Sequence, residues 1–391
     1  MKFVGADLHK KTISVCVMAK VRGGREVLCR KRFNCSDVTG IAEFFAGLGK
    51  FQVAVEATSS YEWFLLLVEK LADRCVLAHP KKLRMIAESK NKSDKVDAQV
   101  LAEFLLLDML PEAWRPTPRG REHRVLVRRR RWIDGRITAV KCKLRHKLAH
   151  YNADIRGLFS EQGEKYLADF QLSSADRFEV RQLQAELKLH QEQLAEVDKE
   201  LREFAKTAPQ VEREARAVLD SMPQIGPVTI DAVLSEVGDF RRFTSAKRVV
   251  AYAGLNPCRR ESGGKARELS ISKEGSRILR WALIQAAWRL ANTSPRWRSV
   301  YENLQSNTGS KKKAIVGVAR RLLCVMFAML RDGKKYQYAA SVPEATTTKS
   351  LPPTPPTKAS RLRLRRPSAG DGASDRRPAP TKATGTPPVR N

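Results

Sequence analysis

Apolar residues in the first hundred positions fall in short blocks of two kinds. Residues 2–7, 12–19 (Thr-Ile-Ser-Val-Cys-Val-Met-Ala) and 26–33 read as strands, with Gly23-Gly24 as the turn of a hairpin between the last two. A helical pattern from Val38 to Leu48 follows, then a strand Val53–Glu56, a helix Tyr61–Ala72 and a strand Cys75–Ala78. Further helices are predicted after Pro80 and after Ser93. Beyond Pro111 the spacing becomes helical throughout: Val125, Leu126, Trp132, Ile133, Ile137, Val140, Leu144 and Leu148 recur at three- and four-residue steps. From Val180 to Phe204 the seam Val180, Leu183, Leu187, His190, Leu194, Val197, Leu201, Phe204 alternates threes and fours, which predicts a coiled coil or a long helical hairpin. His190 in that seam reads as a register-setting polar residue.

These patterns divide the chain into residues 1–110 (mixed α/β), 111–150 (a basic helical segment), 151–214 (the coiled coil), 215–338 (mostly α-helical) and 339–391. Three meandering strands followed by alternating helices and strands is the order of an α/β RNase H-like fold. Met222-Pro223-Gln224-Ile225-Gly226-Pro227-Val228 separates two helices, either as an ordinary tight turn or as one presenting amides to a phosphate. The last segment, rich in Pro, Thr, Ser and Arg, lacks the apolar content to build a core and reads as a disordered basic tail.

Charge changes the picture. The formal net charge is +31 over 391 residues, which suits a polyanionic partner. The load concentrates in Arg128, Arg129, Arg130, Arg131 and Lys141, and again in Arg259, Arg260 and Lys265, which become candidate nucleic-acid contacts. No apolar run reaches the ~18 residues of a membrane span, and no secretory signal region opens the sequence, so a cytoplasmic, nucleoid-associated protein is expected. Seven cysteines without a CxxC pair or a Cys/His cluster read as reduced, mostly buried thiols.

Against this basic background four acids stand out. Asp7 ends the first strand, Glu56 ends the fourth, and Asp94 and Asp97 share one face at the start of a helix. Carboxylates gathered at strand ends repel unless divalent cations neutralise them, and two Mg²⁺ ions about 4 Å apart serve in-line attack on a phosphodiester. Ordinary surface acids are the alternative. A second unusual place is Ser262, which precedes Gly263-Gly264 among Arg259, Arg260, Lys265, Arg267 and Lys273. Two readings fit it: a nucleophile whose attack on phosphorus the cations stabilise, or a basic loop that grips DNA backbone. Cys258, behind Pro257, reads as a buried thiol rather than a rival nucleophile.

Gly5-Ala6-Asp7-Leu8-His9-Lys10, Val55-Glu56-Ala57-Thr58, Lys92-Ser93-Asp94-Lys95-Val96-Asp97-Ala98 and Gly254-Leu255-Asn256-Pro257 with Ser262-Gly263-Gly264-Lys265 resemble the hallmark blocks of DEDD-type insertion-sequence transposases of the insertion-sequence 110 family. The resemblance covers roughly residues 1–335. It implies a RuvC-like N-terminal domain that binds Mg²⁺ through Asp7, Glu56, Asp94 and Asp97. It also implies a C-terminal domain in which Ser262 joins covalently to DNA, a dimer or tetramer built through the coiled coil, and a structured guide (bridge) RNA that pairs with donor and target DNA. The expected function is transposition by strand cleavage and exchange. The rivals are a Holliday-junction-type nuclease using the carboxylates alone, and a non-catalytic nucleic-acid-binding protein.

Overall fold

A computed structural model describes the backbone of residues 1–58, 60–86, 94–262 and 265–337, and the side chains of these except 94–96 and 259–269. The expected tail therefore lies outside the described residues. Residues 1–337 form one compact unit.

The chain opens with strands β1 (Lys2–Leu8), β2 (Thr12–Val21) and β3 (Gly24–Asn34), followed by helix α1 (Val38–Ala46) and strand β4 (Phe51–Glu56). Helix α2 (Tyr61–Val68), strand β5 (Arg74–Ala78) and helices α3 (Pro80–Ile86) and α4 (Asp94–Leu106) complete this part. The five strands lie in the order β3-β2-β1-β4-β5. The β1-β2-β3 meander is antiparallel, as its short turns require. β4 and β5 run parallel to β1, each reached through a helix. Gly23 turns the hairpin with φ +91°, a conformation that favours glycine. Val4, Ala6, Ile13, Val15, Phe45, Phe51, Val53 and Phe64 fill the core on one face of the sheet. On the other face Ala54, Val76, Leu101 and Leu105 meet, with Ala98 and Ala102 over Cys16 and Met18.

Two long helices follow, α5 (Pro118–Ala149) and α7 (Ser174–Lys206), with the short α6 (Glu161–Asp169) between them. Arg119 reaches Phe204, Arg130 reaches Asp198 and Lys147 reaches Asp176, so the pair is antiparallel. The heptad seam is thereby occupied within the chain: Val180, Leu183 and Leu187 bury against Val140, Leu144 and Leu148. Of the two forms the seam predicts, the structure has the helical hairpin. His190 is buried in it, beside Gln193 at 3.3 Å and Glu186 at 3.5 Å.

The remaining elements are α8 (Gln210–Asp220), α9 (Pro227–Val237), a 3₁₀ turn Phe240–Arg242, α10 (Ala246–Tyr252), strands β6 (Pro257–Ser262) and β7 (Lys265–Ile271), α11 (Arg277–Thr293), α12 (Pro295–Thr308) and α13 (Lys311–Asp332). Leu219, Val233, Val249, Leu283, Leu290 and Leu322 are among the buried residues of their shared core. The β6–β7 hairpin is the non-helical part of a segment expected to be mostly helical. All seven cysteines are free, with Cys16 buried, Cys142 exposed and the other five half-buried. That corrects the expectation that most are core thiols. Among the described residues no helix is long and apolar enough to cross a membrane.

Candidate functional site

The carboxylate end of the sheet is set by strand register. Ala6 pairs with Val55 across the parallel β1–β4 ladder, so the next residues, Asp7 and Glu56, stand side by side at the strand ends. Adjacent strands are about 4.8 Å apart, and registered neighbours point to the same face. That face is the one α4 covers. Glycine at position 5 makes the approach possible, because a Cβ there would lie 2.0 Å from the carbonyl oxygen of Ala98 and 2.5 Å from the nitrogen of Ala102. Gln99 reaches Arg30, opposite Cys16, while Glu103 reaches Arg25, opposite Lys20. The helix therefore runs antiparallel to β1, and its first turn, which carries Asp94 and Asp97, lies towards the Asp7–Ser14 end of the sheet. Asp97 is exposed, and the side chain of Asp94 lies outside the described residues.

Asp7 is 7% exposed and pairs with His9, whose Nε2 is 3.1 Å from Oδ2. His9, two residues on and half exposed, is a neighbour that the search for acids does not reveal. Among the described residues no three His, Cys, Asp or Glu side chains are gathered closely enough to enclose a metal ion. The backbone does bring Asp7 and Glu56 to neighbouring positions on adjacent strands, with Asp97 on the helix that covers the same face, and carboxylate oxygens are hard donors of the kind that suit divalent cations.

Ser262 ends β6, in register with Lys265 of β7, at the far end of a two-stranded ladder. Its side chain and those of Arg259, Arg260 and Lys265 lie outside the described residues, as do Gly263 and Gly264. The base of the hairpin is closely defined. Ser272 donates its hydroxyl to Asn256 Oδ1 at 2.6 Å, and the amide of Lys273 donates to Gly254 O at 3.0 Å. A Cβ on Gly275 would lie 1.9 Å from the carbonyl oxygen of Tyr252. The buried Arg280 donates to Gly275 O at 2.6 Å and Ala253 O at 3.1 Å, bridging the two arms. The Gly-Leu-Asn-Pro block is thus the foundation of the hairpin that carries Ser262.

The arginine run on α5 is largely engaged inside the fold. Arg128 grips Glu236, 2% exposed, at 2.9 and 3.1 Å, and that carboxylate raises the guanidinium's pKa further. Arg130 holds Asp198 at 2.6 and 3.3 Å, and Arg131 pairs with Asp134 at 2.6 Å beneath the ring of Trp281. Arg124 adds bonds to the carbonyls of Ser235 and Glu236 at 2.8 Å, satisfying the free C-terminal end of α9. His123 and Asp231, both buried, meet at 3.0 Å, with Arg216 2.7 Å from the same carboxylate oxygen. Lys141 lies 4.9 Å from the ring centre of Phe159. Arg129 differs in having no carboxylate partner among the described residues: Gln193 lies at 3.5 Å and its guanidinium over Trp132 at 4.6 Å.

Comparison with known proteins identifies the family. Residues 4–153 match the DEDD model of IS110 type, described as "Transposase", and residues 216–302 match the model described as "Transposase IS116/IS110/IS902 family". Between them the two models cover more than half of the chain. An insertion element IS110 protein of Streptomyces coelicolor, called an uncharacterized 43.6 kDa protein, is 34% identical over 120 residues, 31% of this chain and 30% of that one. Similarity to two other proteins extends further. A pilin gene-inverting protein of Moraxella bovis is 23% identical over 85% of this chain and 97% of its own length. A transposase for insertion sequence element IS1111A of Coxiella burnetii is 24% identical over 87% of this chain and 92% of its own.

Proposed function

The chain belongs to the IS110 family of transposases, and on that premise we propose how it cleaves and exchanges DNA strands. The observation that carries the reading is the consecutive register of Asp7 and Glu56 under the first turn of α4. In this reading residues 1–110 are an RNase H-like, RuvC-like domain whose Asp7, Glu56, Asp94 and Asp97 hold Mg²⁺. Bound there, divalent ions would neutralise the carboxylates and stabilise charge on the attacking and leaving oxygens of a phosphodiester. Divalent-metal binding is a general property of DEDD transposase domains.

The chain's own contribution is a nucleophile on a braced arm. Ser262 Oγ bonds to phosphorus, a nucleoside oxygen leaves with a proton, and Arg259, Arg260 and Lys265 offset the growing negative charge. The seryl phosphodiester keeps the energy of the broken bond, so attack by the hydroxyl of another strand reseals DNA and frees the serine without ATP. The Gly254–Gly275–Arg280 lock supports this role by fixing the root of the hairpin. A structured guide RNA that pairs with donor and target, and a dimer or tetramer that brings the two centres together, complete the proposal. The α5–α7 seam is occupied within one chain, so subunit contacts would use other surfaces.

Suicide-substrate trapping tests it. Wild type with Mg²⁺ gives a protein–DNA adduct on denaturing gels, and Ser262→Ala gives neither adduct nor recombinant while still binding DNA. An adduct with Ser262→Ala places the nucleophile elsewhere, and cleavage by wild type without an adduct makes the protein a hydrolytic nuclease.

A further inference from the structure

One surface of the α5–α7 hairpin has a chemistry that the internal ion pairs do not use. Arg129, Trp132, Arg136 and Lys143 recur at three-, four- and seven-residue steps, which places them on one face of α5, and all four are exposed. Trp132 is 48% exposed, unusual for an indole in mid-helix. His190 of α7 meets its ring edge-on at 6.0 Å, fixing its attitude from below. The guanidiniums of Arg129 and Arg136 flank the same ring at 4.6 and 5.2 Å, one turn to either side. Among the described residues neither arginine has a carboxylate partner, unlike Arg128, Arg130 and Arg131 beside them. Glu122, at the N-terminal end of the face, is the acid on this stripe.

A half-exposed ring between two guanidiniums that no carboxylate neutralises suits one partner chemistry: an unpaired base lying on the ring while the arginines meet its flanking phosphates. A protein partner fits less well, because a second copy of this face would set like charges against each other. We propose that Trp132, with Arg129 and Arg136, is a stacking platform for single-stranded nucleic acid, DNA or RNA, separate from both candidate catalytic centres. The proposal rests on the transposase reading for the presence of nucleic acid, and takes no part in cleavage.

The test is equilibrium binding of the full chain, without divalent metal, to a fluorescent single strand of about 20 nucleotides as DNA and as RNA, and to blunt duplex DNA. Trp132→Ala is expected to weaken single-strand binding roughly tenfold or more, with Trp132→Phe retaining most of it, and duplex binding unchanged because its bases are stacked on one another. The arm with the larger loss identifies the natural strand type. Arg129→Gln with Arg136→Gln is expected to lower the slope of log K against log salt by about two. Equal affinities of wild type, Trp132→Ala and the double arginine variant overturn the platform, as does an equal loss on duplex. A fall in mass by light scattering on Trp132→Ala also overturns it, by making a second copy the occupant. Wild type that binds none of the probes fails earlier, at the transposase reading itself.

Discussion

Asp7, next to last in β1, and Glu56, last in β4, belong to strands that are hydrogen-bonded on both sides in a five-stranded sheet, whereas Ser262 ends a strand of a two-stranded ladder. The first centre is built by crowding: β1, β4 and the helix laid on glycine at position 5 determine where the acids stand. The second is built by bracing, with the hairpin root locked by Gly254, Gly275 and Arg280 and Ser262, the proposed nucleophile, at its far end. A sheet suits groups that must stay put while binding cations. An arm anchored at one end suits a nucleophile that must reach a strand and later return it.

The sharpest way to break this comparison is to remove charge from the crowded centre. Asp7→Asn or Glu56→Gln keeps the shape and deletes a negative charge that divalent cations require. Recombination is expected to fall by about a thousandfold or more, while DNA retention in gel shifts barely changes. Full activity in either variant, or in EDTA, would remove the carboxylates from the mechanism.

The two glycines distinguish crowding from bracing. Gly5→Ala forces a Cβ into the α4 backbone, where neither sheet nor helix can yield cheaply, at roughly 3 kcal/mol or more. Calorimetry is expected to show a clear fall in unfolding temperature with loss of activity. Gly275→Ala also meets backbone, the carbonyl of Tyr252, but at the root of a hairpin that can shift as a body. Here the expected signature is smaller: a modest fall in stability, with loss of hydrogen-exchange protection confined to residues 252–280. Global destabilisation by Gly275→Ala equal to that by Gly5→Ala would show that the hairpin root is as integral to the fold as the sheet.

Much of this was legible in the residues. The strands over 2–7, 12–19, 26–33 and Val53–Glu56 follow from alternation and from the runs that end in Asp7 and Glu56, and all lie within observed strands. The antiparallel α5–α7 packing was within reach of the heptad seam, but nothing in a seam says whether its partner is another chain. The β6–β7 hairpin was missed because Arg, Glu and Ser in Pro257–Ser262 lack the apolar alternation of a half-buried strand. Trp132 and Val125 fit the apolar period of α5 yet are exposed, since period identifies a face and not what covers it. The ion pairs of the arginine run were not legible. Arg128 and Arg130 read as phosphate contacts, and in the fold they also hold Glu236 and Asp198, acceptors that lie too far off in sequence for spacing to reveal.

The smallest expected effect lies at the outer end of the helical hairpin, away from both centres. Asp176, in the first turn of α7, accepts from Lys147 at 2.7 Å, from Ser173 Oγ at 2.9 Å and from the Tyr151 hydroxyl. Lys147, then Tyr151 and Ser173, hold its pKa down, to about 2, below the usual carboxylate range near 3.9. The folded value is the depressed one, so the unfolded chain binds the proton more readily. The contribution is therefore fully present above about pH 4 and is lost as pH falls towards 2. Asp176→Asn should accordingly lower the melting temperature slightly at pH 7, with the difference from wild type shrinking between pH 4 and 2. The group is partly open to solvent, so salt should shrink the difference too. A difference constant from pH 7 to pH 2.5 would assign the effect to lost hydrogen bonds rather than to charge. No change at any pH would show that this end of the hairpin is held by its apolar seam, Val180 and Leu183 against Leu144 and Leu148, alone.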